Sequence, residues 1–201
     1  MSDVLPHMGA SLVAACIILS LARRFATSKA QLSSLFIATI LLMLIPMGEF
    51  SASHYIRVIT GDLSMPSFIW LSAGVGQTLY NGKRARSRQE RYTAMAVLLM
   101  GICLYPSALG LSPLDAYSLG YAPVYLGPFI FLLFAWALWL NYWIPAIGLA
   151  LALAAYHFKL LESNNLWDYL IDPVILVYCL SVLVMDHREL LAYGKRKTME
   201  E

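Results

Sequence analysis

The sequence predicts an all-α fold: a polytopic transmembrane bundle of about seven helices, N-terminus outside and C-terminus cytoplasmic. Three observations carry this expectation. The 201 residues are 60% hydrophobic and 13% charged, whereas soluble domains carry about 25% charged residues. The charges gather in islands that leave apolar blocks near 10–22, 32–47, 65–80, 93–111, 121–140, 143–158 and 171–185. All but two of the 14 basic residues fall in 22–30, in 81–91 or beyond 186. Lys and Arg favour cytoplasmic helix ends, so seven crossings place these segments inside and leave Arg57 and Lys159 outside.

A helix needs about 20 apolar residues to cross ~30 Å of hydrocarbon. Several blocks reach that length only with their small or polar ends included. Membrane strands are excluded, because the blocks are too long and too uniformly apolar for an alternating barrel pattern. Residues 1–186 are expected to form one transmembrane domain and 187–201 a short cytoplasmic tail.

In chain order, the first block follows MSDVLPHMGA, which holds Asp3 and no Lys or Arg. It lacks the positive start of a signal peptide and reads as a retained helix, short enough that an interfacial position is the alternative. The segment GEFSASHYIRVITGDLSMP (48–66) links the second and third blocks outside. Residues 51–60 are too polar to span and too apolar for a solvated loop, which suits a short helix lying in the interface. Ser64 before Met65–Pro66 is a natural helix cap, and Asp62 is available for the same role. In the third block Ser72 and Gly76 form a small-xxx-small pattern for helix packing, and Gln77 is expected to hydrogen-bond a neighbouring helix.

The second outer loop, 105–123, is rich in Tyr, Pro and Gly. LNYWIP supplies a tight turn at Asn141–Tyr142 between the next two helices, with Pro145 in the first turn of the second. The third outer loop, 157–174, carries His157, Lys159, Glu162, Asp168 and Asp172. Asp168 and Asp172 are four apart, on one face if the stretch is helical, and Asp172–Pro173 is a natural start for the last helix.

The outer side thus carries Arg57 and Lys159 against Asp3, Glu49, Asp62, Asp115, Glu162, Asp168 and Asp172. The leading functional expectation is an inner-membrane protein, multi-pass, with an outward-facing polar pocket. It would bind or pass a small or lipid-like anionic substrate, or assist a membrane complex. Arg57 would hold the anion by charge-assisted hydrogen bonds. Glu49, Tyr55, Asp62 and Asp168 would complete the site. One alternative is an intramembrane enzyme acting on a lipid-linked envelope intermediate, with His54 as general acid or base. Another is a structural subunit in which these residues only cap and anchor. Expected partners are membrane lipids and a membrane-protein partner or second copy, but no nucleic acid.

No cofactor or metal is expected. Cys16, Cys103 and Cys179 lie in apolar blocks without redox or metal spacing. Phosphate-loop, serine-hydrolase and zinc-protease motifs are absent from the sequence.

Overall fold

The computed structural model describes residues 4–23, 25, 28–48, 50–81, 87–113 and 115–185. The proposed tail 187–201 and the role given to Glu49 lie outside the described residues. The chain is mostly helical: α1 (Val4–Ala22), α2 (Lys29–Met43), α3 (Ala52–Thr60), α4 (Met65–Asn81), α5 (Arg88–Ala108), α6 (Leu126–Trp139), α7 (Trp143–His157) and α8 (Leu166–Leu170), then α9 (Pro173–Met185). A hairpin of β1 (Pro46–Met47) and β2 (Phe50–Ser51) pairs Pro46 with Ser51. A 3-10 turn covers Tyr117–Gly120.

Among the described residues seven of these helices are long, but only Leu5–Ala22 is long and apolar enough to cross a membrane by itself. Helices α2, α6, α7 and α9 are apolar and shorter. The 15 residues of α2 rise only about 22 Å at 1.5 Å each, short of ~30 Å of hydrocarbon. Helix α5 has the length, but its first turn is Arg88–Gln89–Glu90–Arg91.

Local chemistry sets the helix ends. Ser28 and Gln31 form a capping box at the start of α2, satisfying two otherwise open backbone donors. Helices α5, α6 and α7 close in the same way, each with a left-handed residue: Gly110 (φ 70°), Asn141 (φ 58°) and Lys159 (φ 51°). In each the next amide reaches back five residues, Leu111 to Pro106, Tyr142 to Ala137 and Leu160 to Ala155, a Schellman closure. The turn at Asn141–Tyr142 is therefore as expected. The connection between α5 and α6 is shorter than expected, because α5 continues through Pro106 to Ala108.

The helices pack around two apolar clusters. One joins α4 to α5, α6, α7, α8 and α9 through Trp70, Ile130, Tyr169, Ile175 and Val182. The other joins α1, α2 and α4 through Leu12, Leu19, Leu32 and Val75. Helices α4 and α7 approach most closely where a Cβ on Gly148 would stand 3.2 Å from Pro66 Cα. Gly148, Ala152 and Ala155 are buried along that face of α7. The close approach was expected at Ser72 and Gly76 instead. Gly76 is exposed, and a Cβ there would meet nothing. The Gln77 Oε1 is buried with no hydrogen-bond partner among the described residues.

Outside the clusters the long helices turn large apolar side chains to the surroundings. Ile17 and Leu21 on α1, Ile37 and Leu41 on α2, Leu99 and Ile102 on α5, Phe131 and Leu132 on α6, and Val177 and Leu180 on α9 are all exposed. Helix α3 is amphipathic with its apolar face outward. Val58 and Ile59 are 76% and 85% exposed, while Ser53 is buried and Arg57 half-buried.

Candidate functional site

The connections containing α3, the 3-10 turn and α8 meet at one end of the bundle and form a layer of paired polar groups. Arg57 sits near the end of α3, where Gly61 (φ 69°) reverses the chain and returns Asp62 toward it. Arg57 Nε lies 2.7 Å from Asp62 Oδ1, and its Nη2 lies 2.7 Å from Glu162 Oε1. The 48–66 and 157–174 segments therefore meet. Both carboxylates hold the guanidinium still more firmly protonated, through their hydrogen bonds first. Arg57 is 17% exposed and Glu162 70%, so only the inner half of the cluster is shielded from water. Among the described residues the fork that was to receive an anion holds two carboxylates of the same chain.

The other candidates of this segment are arranged around the hairpin. The Tyr55 hydroxyl donates to the Met47 carbonyl at 3.2 Å. The His54 ring stacks on Phe50 at 4.4 Å and lies 5.5 Å from the ring of His7. His7 Nδ1 is 3.0 Å from Ser53 Oγ, tying the start of α1 to α3. His54 is thus held by ring contacts, and among the described residues no carboxylate is seen orienting it.

Asp168 joins the connection between α5 and α6 to that between α7 and α8. The Tyr117 hydroxyl donates to both of its oxygens, at 2.9 and 3.1 Å, and Ser163 Oγ donates at 2.5 Å. Burial, then the Asp168 hydrogen bond, pushes the Tyr117 phenol up from its ordinary value. Asn165 Nδ2 donates to the Tyr117 carbonyl, and the Trp167 indole donates to that of Ala116. Gly120 lies against Asn165 so closely that a Cβ there would overlap the amide oxygen.

Asp168 and Asp172 do not share a helical face. Helix α8 stops at Leu170, and Ile171 is extended (φ −138°), which turns Asp172 into the core. There it is 4% exposed. One carboxylate oxygen accepts from the Ser64 amide (2.6 Å) and Ser67 Oγ (2.5 Å), the other from the Ile175 amide (2.8 Å). The expected cap of α9 is thus present, and the same carboxylate also fixes the start of α4. Two helix N-termini converge on it, each favouring negative charge. The sequence shows Asp172 as a local cap and as one of a carboxylate pair with Asp168, but nothing in it places Ser64 and Ser67 beside the carboxylate. His7, Tyr117, Ser163 and Asn165 were missed for the same reason.

Two concavities border the polar layer, apart from an open one by the hairpin lined by Met43, Met47, Ala52, Tyr55 and Ile56. A cavity of about 430 Å³ lies between α4, α5, α6 and α7. It runs from Leu170 and Ile175, beneath the polar layer, to Tyr142 at the α6–α7 turn and Tyr92 near the start of α5. Its wall is almost wholly apolar, and it opens along the side between α5 and α6, where Ala96 and Trp136 are exposed. A second cavity of about 330 Å³ opens beside the end of α7, lined by Tyr156, His157, Lys159, Ser163 and Asn164. Among the described residues no group of three His, Cys, Asp or Glu side chains converges to hold a metal ion. No protein family, curated protein or solved structure matches the chain.

Proposed function

We propose that the chain is a multi-pass integral protein of the cell membrane that binds a lipid-like molecule in the side groove between α5 and α6. The groove is the observation that carries this reading. Ligand sites are mostly apolar concavities of about 300–1,000 Å³, and this one is filled by no side chain of the bundle. Its mouth opens on the flank of the helices, among exposed apolar residues that water disfavours and acyl chains do not. Helix α3, apolar face outward and polar face on the protein, suits a membrane interface. Helices of 13 to 17 residues fall short of the hydrocarbon thickness and suit a bilayer thinned around the bundle. The orientation follows the basic residues, with the α3 and α8 end outside.

In this reading the outer polar residues hold the loops over the bundle, and the lipid enters from the side. Protein purified in mild detergent is expected to carry lipid that survives washing. The Ala96→Trp variant, which fills the groove, is expected to lose it while melting as the wild type does. Equal lipid in both proteins would overturn the groove as the site.

A second reading rests on Lys159. A lysine in the left-handed region is strained by about 1–2 kcal/mol relative to glycine, yet here it lines the outer cavity beside His157. Such strain accompanies functional positions. A small anion at Lys159 would keep the outward, anion-binding function with a different cation from Arg57. Phosphate binding lost in Lys159→Gly would support it, and unchanged binding would remove it.

A further inference from the structure

We propose that the side groove selects an anionic lipid and holds its headgroup at the end marked by Arg88, opposite the polar layer. This rests on the reading of the groove as a lipid site and adds the ligand's charge and direction.

The register of α5 carries the argument. Tyr92, Ala96 and Met100 line the groove at intervals of four residues, with Thr93 and Val97 beside them. One turn before Tyr92 on the same face is Arg88, which is exposed. One turn before Thr93 is Gln89, whose carbonyl accepts from the Thr93 hydroxyl at 2.8 Å. The apolar stripe therefore runs directly into a cationic and then polar turn. Glu90 lies on the far side of the helix, where it accepts from the Tyr178 hydroxyl at 2.8 Å, so its charge is directed toward α9. The facing wall changes in the same sense, from Leu170 and Ile175 at one end to Tyr142 at the other.

The opposite end repels an anion. Next to the groove's far end stands the layer of Asp62, Glu162, Asp168 and Asp172, and its Arg57 is already held by two of these. An acidic boundary at one end and an arginine at the other orient an amphiphile with its chain along Val97, Met100 and Leu133 and its phosphate near Arg88. A neutral lipid would fit the stripe equally and gain nothing from either end. Each basic residue near a bilayer surface adds attraction for anionic lipid equivalent to roughly fivefold in affinity.

The test is lipid retention by native mass spectrometry of the full chain. The protein is loaded from nanodiscs of phosphatidylglycerol or phosphatidylcholine with identical acyl chains. The expected result is one retained lipid, with phosphatidylglycerol favoured roughly fivefold. Arg88→Gln, an exposed change, should bring the ratio near unity while one lipid is still retained. Lys29→Gln, an exposed change at the start of α2 away from the groove, should leave the preference unchanged. Inorganic phosphate in excess should displace nothing, and displacement would mean a free-phosphate site.

Equal retention of the two lipids by the wild type, or a preference that survives Arg88→Gln or disappears with Lys29→Gln, would overturn the headgroup assignment alone. No retained lipid in the wild type would overturn the groove reading with it.

Discussion

The polar layer and the side groove are built on opposite principles. In the layer, Asp172 accepts three hydrogen bonds from two helix starts, Asp168 binds a phenol and a hydroxyl, and Arg57 is shared by two carboxylates. These groups satisfy one another and leave little to offer a ligand. In the groove, α5 stands off from the closely packed α4, α6 and α7, and the apolar wall between them is filled by no side chain. A dense cluster of charged residues is therefore a poor guide to a binding site when its members bind each other. A gap in an otherwise close-packed interior is the better guide, because its lining has forgone dispersion contacts that a ligand can restore.

That contrast can be broken at the layer first, where the largest effect is expected. Asp172→Ala leaves the Ser64 and Ile175 amides and the Ser67 hydroxyl without their acceptor. It should cost about 3 kcal/mol, summing a lost cap and charge-assisted hydrogen bonds, read from thermal unfolding by circular dichroism in detergent. Asp172→Asn keeps one acceptor oxygen and should cost less. A change within about 0.5 kcal/mol for Ala, the range of ordinary surface substitutions, would mean that the layer does not clamp α4 to α9.

A smaller loss is expected of Tyr117→Phe, about 2 kcal/mol for a hydrogen bond to a charged acceptor. It also carries a pH signature. The folded phenol is raised above its ordinary value of about 10, so its contribution is complete below that pH. It declines as pH rises toward the folded value, where a phenolate would face Asp168. The wild type should thus lose stability over the Phe variant as pH rises beyond 10. Parallel pH profiles would show that Tyr117 does not bind Asp168 in solution.

The smallest effect, and of opposite sign, is expected at the rim. Lys159→Gly should stabilise by about 1 kcal/mol, because glycine accepts the left-handed conformation without strain. Destabilisation there would mean that the Lys159 side chain contributes contacts beyond the strained turn.

Much of this was legible along the chain. Ser64 and Asp172 announce helix starts because capping is decided within three residues. Asn141–Tyr142 announces a turn because the apolar blocks around it are too long for one helix. The end of α5 was misjudged because a proline in the last turn of a helix loses only one hydrogen bond and need not end it. Glycine spacing at Ser72 and Gly76 misled for another reason: a small residue permits close approach but does not say whether a neighbour comes. That neighbour came to Gly148, on α7.

The candidate site divides in the same manner. Sequence alone determined a mostly helical, apolar chain with seven of its twelve acids and two isolated cations set apart from the basic segments, since composition and charge order are one-dimensional properties. Only tertiary structure decided that Arg57 would meet Glu162 across 105 positions and that Asp172 would hold two helices. It also decided that α5 and α6 would stand apart around an open groove. Pairing and gaps depend on which helix faces meet, and a chain read one residue at a time does not contain that information locally.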